Sequence, residues 1–441
     1  MKFATIENLY EIFLRHPHVS TDTRTIIPGS IFFALKGGNF NGNTFAQQAL
    51  SKGAAFAVVD EKEFSNHPHV FLVEDVLSAL QDLARHHRHA LGKKGLRVLA
   101  LTGSNGKTTT KELLARVLAT TFKTHFTLGN LNNHIGVPLT LLQLKEEHEM
   151  AVIEMGANHL GEIALLSSIA EPDFGLITNV GLAHLEGFGG VDGVLKGKTD
   201  LFVDLEKRNG VAFVFADDAR IVERSSELKR IMYGTSDEAE VKGKLIAADP
   251  FVRFEWGASG IPLHEVTTQM VGAYNLPNLI AACAVGCFFK IDAAKIDMAI
   301  ASYAPENNRS QFEKCGTNTL LLDAYNANPS SMAAAIENIS KFRHDKKIVV
   351  LGDMFELGEA SAQEHQKIVN HIGEKIPDAK VLLVGKNFSE TKYRYGSLKF
   401  ADAIAAAEWM KNNLPENSLI LIKGSRGMKM EIVAQALKGR N

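Results

Sequence analysis

Sixteen residues, LALTGSNGKTTTKELL (99–114), carry the most chemistry in this chain. Gly103 and Gly106 let the backbone turn its N–H groups toward an anion, and Ser104, Asn105 and Thr109 complete the loop. Lys107 adds a point charge, and Thr108 offers a hydroxyl to Mg²⁺. The full phosphate-loop pattern asks for a glycine five residues before Gly106, and Leu101 stands there. The loop is therefore read from its context: an apolar strand before it and a helix after it.

Four further segments hold polar donors at expected strand ends. GNLNNHIGVPLTLL (129–142) gathers three asparagines before a helix. IEMGANHLGE places Glu154 at a strand terminus, and NVGLAHLEGFGG brings Asn179, His184 and Glu186 after another. VGAYNLPNLIAA sets Asn275 and Asn278 before an apolar helix. Asn and Gly also favour turns and helix caps, which accounts for most isolated cases. A phosphate loop, a carboxylate and an imidazole gathered at neighbouring strand ends is the donor set that two Mg²⁺ ions bridging phosphates require.

The elements that must position these groups form three α/β blocks. The first runs to about residue 90. It opens on an amphipathic helix, followed by short apolar strands in SIFFALKGG (30–38), AFAVVDE (55–61) and HVFLVED (69–75). Its tract RHHRHA (85–90) reads as a solvated helix face rather than a metal site. In the second block, buried strands are expected in LRVLAL (96–101), HEMAVIEMG (148–156) and DFGLITNVG (173–181). Polar residues crowd their C-terminal ends, where open parallel sheets bind ligands. Leu113, Leu114, Val117 and Leu118 repeat at helical spacing after the loop. Cys283 and Cys287 share a helix face and read as core. The third block alternates strands TLLLDA (319–324), KIVVLGD (347–353), KVLLVGK (380–386) and SLILIKG (418–424) with helices starting near Ser330, Ser361 and Lys399. A last helix is expected after Gly427. Such alternation predicts a parallel sheet covered on both faces.

Composition narrows the class. The 441 residues suffice for about three domains. The 48 basic against 50 acidic residues exclude a globally basic nucleic-acid binder. Three cysteines exclude a disulfide scaffold and fit a reducing compartment. The most apolar stretch, LIAACAVGCFF (279–289), is far shorter than the roughly 20 residues of a membrane span. The expectation is a soluble cytoplasmic α/β enzyme that binds a nucleotide with Mg²⁺.

Ordered along nearly the whole chain, TGSNGKTTT (102–110), GNLNNHIGVP (129–138), EMGA (154–157), NVGLAHLEGFGG (179–190), GAYNLPN (272–278), NRSQ (308–311), DAYNANPSSM (323–332) and KGSRGMKME (423–431) resemble the Mur ligase family, ATP-dependent amide-forming enzymes of peptidoglycan synthesis. The resemblance implies an N-terminal UDP-substrate domain (1–90), a central P-loop ATPase domain (91–305) and a Rossmann-like C-terminal ligase domain (306–441). DAYNANPSSM and VLGDMFELGE resemble the branch that adds D-alanyl-D-alanine to UDP-muramoyl-tripeptide. STDTRTIIPGSIFFALKGGNFNGNTF (20–45) resembles the UDP-binding segment, with Asn43 where relatives often carry His.

The resemblance also implies roles. Lys107, Glu154, His184, Lys198 and Arg309 form the catalytic set. Gly103, Ser104, Asn105, Gly106, Lys107, Thr108 and Thr109 hold the phosphates of ATP. Asn275 and Asn278 contact the nucleotide, Arg309 the γ-phosphate, and Asp323 the ribose. Thr108 and Glu154 bind a first Mg²⁺ and His184 a second. Lys198 in LKGKTDLF aligns with a lysine carbamylated by CO₂, with Lys196 as the rival in register. Ser20, Thr21, Asp22, Arg24, Asn130 and Asn133 face the UDP-sugar peptide. Asn326, Asn328 and Ser331 line the acceptor side, and Lys423 and Arg426 hold phosphate or a peptide carboxylate. A monomer is the family's default, and closure of the C-terminal domain over the middle one is implied. Three alternatives stay open: a third-residue ligase of the same family, a folylpolyglutamate synthetase-like ligase, and a non-enzymatic ATP-binding regulator.

Overall fold

The computed structural model describes residues 3–306 and 308–438. Three parallel-rich sheets follow one another along the chain.

The N-terminal sheet has four parallel strands in the order Val19–Ser20, Ile31–Phe33, Phe56–Val59, Val70–Leu72. The opening helix is Ile6–Arg15, with Thr5 and Asn8 forming a capping box. It buries Leu9, Ile12 and Phe13. The long helix Val76–Gly92 packs under this sheet and also against the middle domain's helices. One apolar core therefore runs from Leu9 to Ala239 without a break.

RHHRHA lies on that helix and departs from the solvated face expected. His87 and Arg88 are buried. His87 Nε2 meets the Leu144 carbonyl at 2.9 Å, and Arg88 pairs with Asp173 at 2.8 Å. The tract clamps two domains together. Among the described residues no group of three His, Cys, Asp or Glu is placed to hold a metal.

The middle sheet has nine strands. In spatial order they are Thr124–Phe126, Met150–Glu154, Arg97–Thr102, Phe174–Ile177, Val211–Phe215, Lys229–Gly234, Val241–Ala248, Val252–Ala258 and Ile261–Thr267. All pairings are parallel up to Val241; the last three strands form antiparallel hairpins, in addition to the buried strands expected from the sequence. The strand Arg97–Thr102 sits between the other two site-bearing strands. Leu101 pairs with Glu154 on one side and Thr102 with Ile177 on the other. Three adjacent C-terminal ends thus deliver the phosphate loop, Glu154 and Asn179 to one edge. The apolar helix Leu276–Phe288 packs on the loop's own helix, Lys107–Ala119, and Cys283 is buried in that contact layer.

The C-terminal sheet has the order Gln311–Cys315, Asn318–Asp323, Leu419–Lys423, Lys347–Gly352, Lys380–Val384, Leu398–Phe400. Its first pair is antiparallel and the rest are parallel. The helix expected to start near Lys399 is displaced, because Leu398–Phe400 is an edge strand. The helix begins at Ala403, where the Asp402 side chain accepts from the Ala405 N–H. The final helix is Glu431–Lys438, one short turn beyond Gly427. No helix among the described residues is long and apolar enough to cross a membrane.

Candidate active site

A cavity of about 720 Å³ lies where the middle and C-terminal domains meet, and its wall includes Ser104–Thr109, Glu154, His184, Arg309 and Asn328. Among the described residues, His184 and Ser310 in its wall, together with Asn308 two residues before Ser310 and Glu356 bonded to His184, are non-glycine residues with positive φ. Backbone strain of this kind persists where surrounding contacts hold it, and functional loops are the usual place.

The phosphate loop is held open by glycine. Gly103 has φ +146°, and a Cβ there would fall 2.0 Å from Thr178 Oγ1. Gly106 has φ +78°, and a Cβ there would fall 2.9 Å from Asn278 Oδ1. The loop is tied to the neighbouring strand end. Asn105 N–H donates to Asn179 Oδ1 at 3.0 Å, and Thr178 Oγ1 donates to the Asn105 carbonyl at 2.6 Å. Lys107 folds back to donate to the carbonyls of Gly103 (2.7 Å) and Ser104 (3.3 Å). Burial lowers its pKa, which Glu154 opposes and Arg309 reinforces. Thr108 is buried in the first turn of the helix that follows.

Glu154 is 2% exposed. Its Oε1 accepts from Asn132 Nδ2 at 2.8 Å. Its Oε2 has no hydrogen-bond partner among the described residues. The Lys111 ammonium, itself buried, stands 3.8 Å from that oxygen. A buried, unsatisfied carboxylate oxygen is costly unless a ligand completes it. Together with the Thr108 hydroxyl it offers hard oxygen donors to Mg²⁺, so the residues present fit that ion.

Lys198 and Lys196 are separated by burial. Lys196 is exposed, whereas Lys198 is 1% exposed in the helix Val191–Lys207. Lys198 Nζ donates to the Ala157 carbonyl at 3.2 Å and lies 5.1 Å from the centre of the Phe188 ring. Burial holds its pKa well below the ordinary lysine value, and the Lys107 charge adds to the effect. A neutral amine is the form that reacts with CO₂.

His184 carries positive φ at the start of the short helix Leu185–Phe188, and its Nδ1 contacts the Glu356 carboxylate of the C-terminal domain. That pairing lowers the Glu356 pKa. Two more links cross the same boundary. Asn328 Nδ2 donates to Asn105 Oδ1 at 2.8 Å, and the Leu182 N–H donates to Ser330 Oγ at 3.0 Å.

Asn275 and Asn278 are buried and line the cavity, joined by an Asn278 Nδ2 to Asn275 Oδ1 bond of 3.0 Å. Arg309 lies with its guanidinium 3.5 Å from the Tyr325 ring centre. Asp323 pairs with buried Lys423, its registered neighbour on the adjacent strand, and accepts from the Ser310 N–H at 3.3 Å. Asn326 lines the cavity, as do Asn328 and Ser331, whose side chains also form the capping box of the helix Pro329–Lys341. Arg426 pairs with Glu431 outside the cavity wall.

The UDP-directed residues divide. Asn130 and Asn133 line the cavity; Ser20, Thr21, Asp22 and Arg24 do not. Asp22 and Arg24 form a salt bridge of 2.6 Å, which lowers the Asp22 pKa to about 2. Asn43 is fully buried and bonded to Asn41 and Asp60, a structural position rather than a surface for ligand.

Sequence reasoning missed Asn132, Lys111, Tyr325, Ser330 and Glu356. Asn132 stood among three asparagines with nothing local to single it out. Lys111 follows Lys107 by one helical turn, a spacing that could have marked it.

Residues 101–286 match the Mur ligase middle domain, residues 308–426 the Mur ligase, glutamate ligase domain, and residues 17–88 the Mur ligase family, catalytic domain. A UDP-N-acetylmuramoyl-tripeptide–D-alanyl-D-alanine ligase of Bacillus subtilis (strain 168) is 35% identical over 439 residues, covering 95% of this chain and 92% of its own. MurF from Acinetobacter baumannii is similar in structure, with TM-score 0.86, 31% identity, and coverage of 96% and 93%. The MurF ligase of Thermotoga maritima in complex with ADP gives TM-score 0.87 at 27% identity, covering 97% and 98%.

Proposed function

This chain belongs to the Mur ligase family, and from that premise we propose that it joins D-alanyl-D-alanine to UDP-N-acetylmuramoyl-tripeptide with conversion of ATP to ADP and phosphate. It acts as a cytoplasmic monomer in peptidoglycan precursor synthesis.

A carboxylate and an amine do not condense directly, because the departing oxygen is too basic. The substrate carboxylate therefore attacks the γ-phosphorus, the bond to the β-phosphate bridging oxygen breaks, and ADP leaves. The dipeptide amine then attacks the acyl carbon, loses a proton, and phosphate departs as the amide forms. ATP and the carboxylate that attacks it are both anionic, so charge neutralisation and positioning dominate the barrier.

The residues divide that work. The loop amides and Lys107 cradle the β- and γ-phosphates. Arg309, braced on Tyr325, approaches the γ-phosphate from the linker. Asn275 and Asn278 border the nucleotide, and Asp323 faces its ribose. Asn130 and Asn133 meet the tripeptide substrate near the reacting carboxylate, while Ser20, Thr21, Asp22 and Arg24 hold its distant UDP end. Thr108, Glu154 and His184 would hold magnesium, joined by Lys198 once its amine is carbamylated. Bound magnesium supplies charge neutralisation at the transferring phosphoryl group.

Glu154, in the wall of a cavity completed by the C-terminal domain and with one buried oxygen lacking a hydrogen-bond partner among the described residues, supports this reading most directly. The test is phosphate release from ATP with UDP-muramoyl-tripeptide. D-Alanyl-D-alanine should drive release, and single amino acids should not. Release driven by a single amino acid would instead identify a third-residue or glutamate ligase, and no release with any acceptor would identify a regulator.

A further inference from the structure

Among the described residues of the middle domain, Asn105 is hydrogen-bonded through its backbone alone. Its N–H donates to Asn179 Oδ1, and its carbonyl accepts from Thr178 Oγ1 and from Asn179 Nδ2. Its side chain is left to project from the tip of the phosphate loop. Gly181 leaves room for it, since a Cβ there would come 3.4 Å from Asn105 Nδ2.

The group that meets this side chain comes from the C-terminal domain. Asn328, 7% exposed, is the N-cap of the helix Pro329–Lys341. Its Oδ1 accepts from the Ser331 N–H at 2.9 Å, which fixes the side chain's rotation. The remaining amide hydrogens then point outward, and Nδ2 donates to Asn105 Oδ1 at 2.8 Å. Two residues on, Ser330 Oγ accepts from the Leu182 N–H of the loop that carries His184. One helical turn thus touches both the phosphate loop and the histidine loop.

We propose that Asn328 is a positioning residue through which seating of the C-terminal domain depends on the shape of the phosphate loop, so that nucleotide and acceptor binding are coupled by the Asn105–Asn328 bridge. This rests on the ligase reading above. The physical reason is directional. The cap prevents Asn328 from turning to follow a displaced partner, so a shift of the loop tip breaks the bond rather than stretching it. The bond is shielded from water on the Asn328 side, where an unmade partner is costly. Coupling of this kind is reciprocal: whatever factor acceptor binding adds to nucleotide affinity, nucleotide adds to acceptor affinity.

The variants follow from the cap. Asn328→Ser keeps an N-cap oxygen, since serine caps as well as asparagine, but is too short to reach Asn105. Asn105→Ala removes the bridge from the other side and leaves the loop's backbone bonds. The affinity of the full chain for a non-hydrolysable ATP analogue is measured by calorimetry, with and without UDP-muramoyl-tripeptide plus D-alanyl-D-alanine. The wild type should gain about tenfold on adding the two substrates. Each single variant should lose most of that factor, the double variant should lose no more than either, and the dipeptide KM should rise more than kcat falls.

A wild-type factor near one, both variants retaining the full factor, or a double variant losing the product of the two singles would each overturn the proposal. Should Asn328→Ser fail to fold, Asn105→Ala decides alone. A wild type that turns over normally while the variants keep full coupling overturns only the bridge. A wild type with no dipeptide-driven phosphate release overturns the ligase reading first.

Discussion

Asn132 holds one oxygen of Glu154 at 2.8 Å and leaves the other without a hydrogen-bond partner among the described residues. The Asn132 carbonyl also accepts from the Gly156 N–H at 2.7 Å, so Asn132 ties the asparagine loop to the strand end twice. The carboxylate is held in place before any ligand arrives, with its second oxygen buried 3.8 Å from the Lys111 ammonium.

Asn132→Ala should therefore weaken magnesium use without unfolding the chain. The expected loss is about tenfold or more in kcat/KM, in line with removing an outer partner of a metal ligand. A magnesium titration of phosphate release checks it; an unchanged half-saturation would refute the role given to Asn132.

Lys198→Met keeps length and burial but cannot carry a carbamate. Its phosphate release should fall by roughly a hundredfold or more. Exposed Lys196→Met should remain near wild type. Wild-type activity should drop in CO₂-free buffer and return with bicarbonate, and indifference to CO₂ would count against the modification.

Tyr325 supports the Arg309 guanidinium at 3.5 Å. Tyr325→Leu should raise the KM for ATP by about threefold to thirtyfold, the range of a partly desolvated cation–π contact. Tyr325→Phe should keep the wild-type value, since the ring face is what the cation meets. Equal effects of the two substitutions would point to the hydroxyl instead.

His125 gives the middle domain a pH dependence unrelated to catalysis. Its Nε2 is buried without a partner among the described residues, and burial lowers its pKa to about 4, assisted by His148. The unfolded chain takes up this proton near pH 6.5, whereas the folded chain resists it until about pH 4. Stability is thus fully present above pH 6.5 and falls as pH drops through this window. Allowing for partial exposure, the loss is on the order of 2 kcal/mol. His125→Leu should flatten that part of the profile in denaturant midpoints measured from pH 7 to 4. A profile unchanged by the substitution would show that other groups set it.

Much of this was legible beforehand because it is local. The phosphate loop needs positive φ at Gly103 and Gly106, and those glycines stand beside an apolar strand and a periodic helix. The parallel strands of the C-terminal domain announced themselves as continuous apolar runs. The hairpins after Val241 were less legible, since their burial alternates only in part and polar residues interrupt them. The strand Leu398–Phe400 was hidden by its length of three residues.

Residue types along the chain were enough to determine the loop, the strand ends that face it, and the kind of chemistry such donors perform. The fold alone decided which of two lysines is buried, which of three asparagines grips Glu154, and which helix cap reaches the loop. Those contacts join residues 22 and 223 positions apart, for Asn132 with Glu154 and Asn105 with Asn328. They depend on strand order and on how one domain seats against another. Neither leaves a trace in neighbouring residues, because the free energy that selects them comes from burial and from partners distant along the chain.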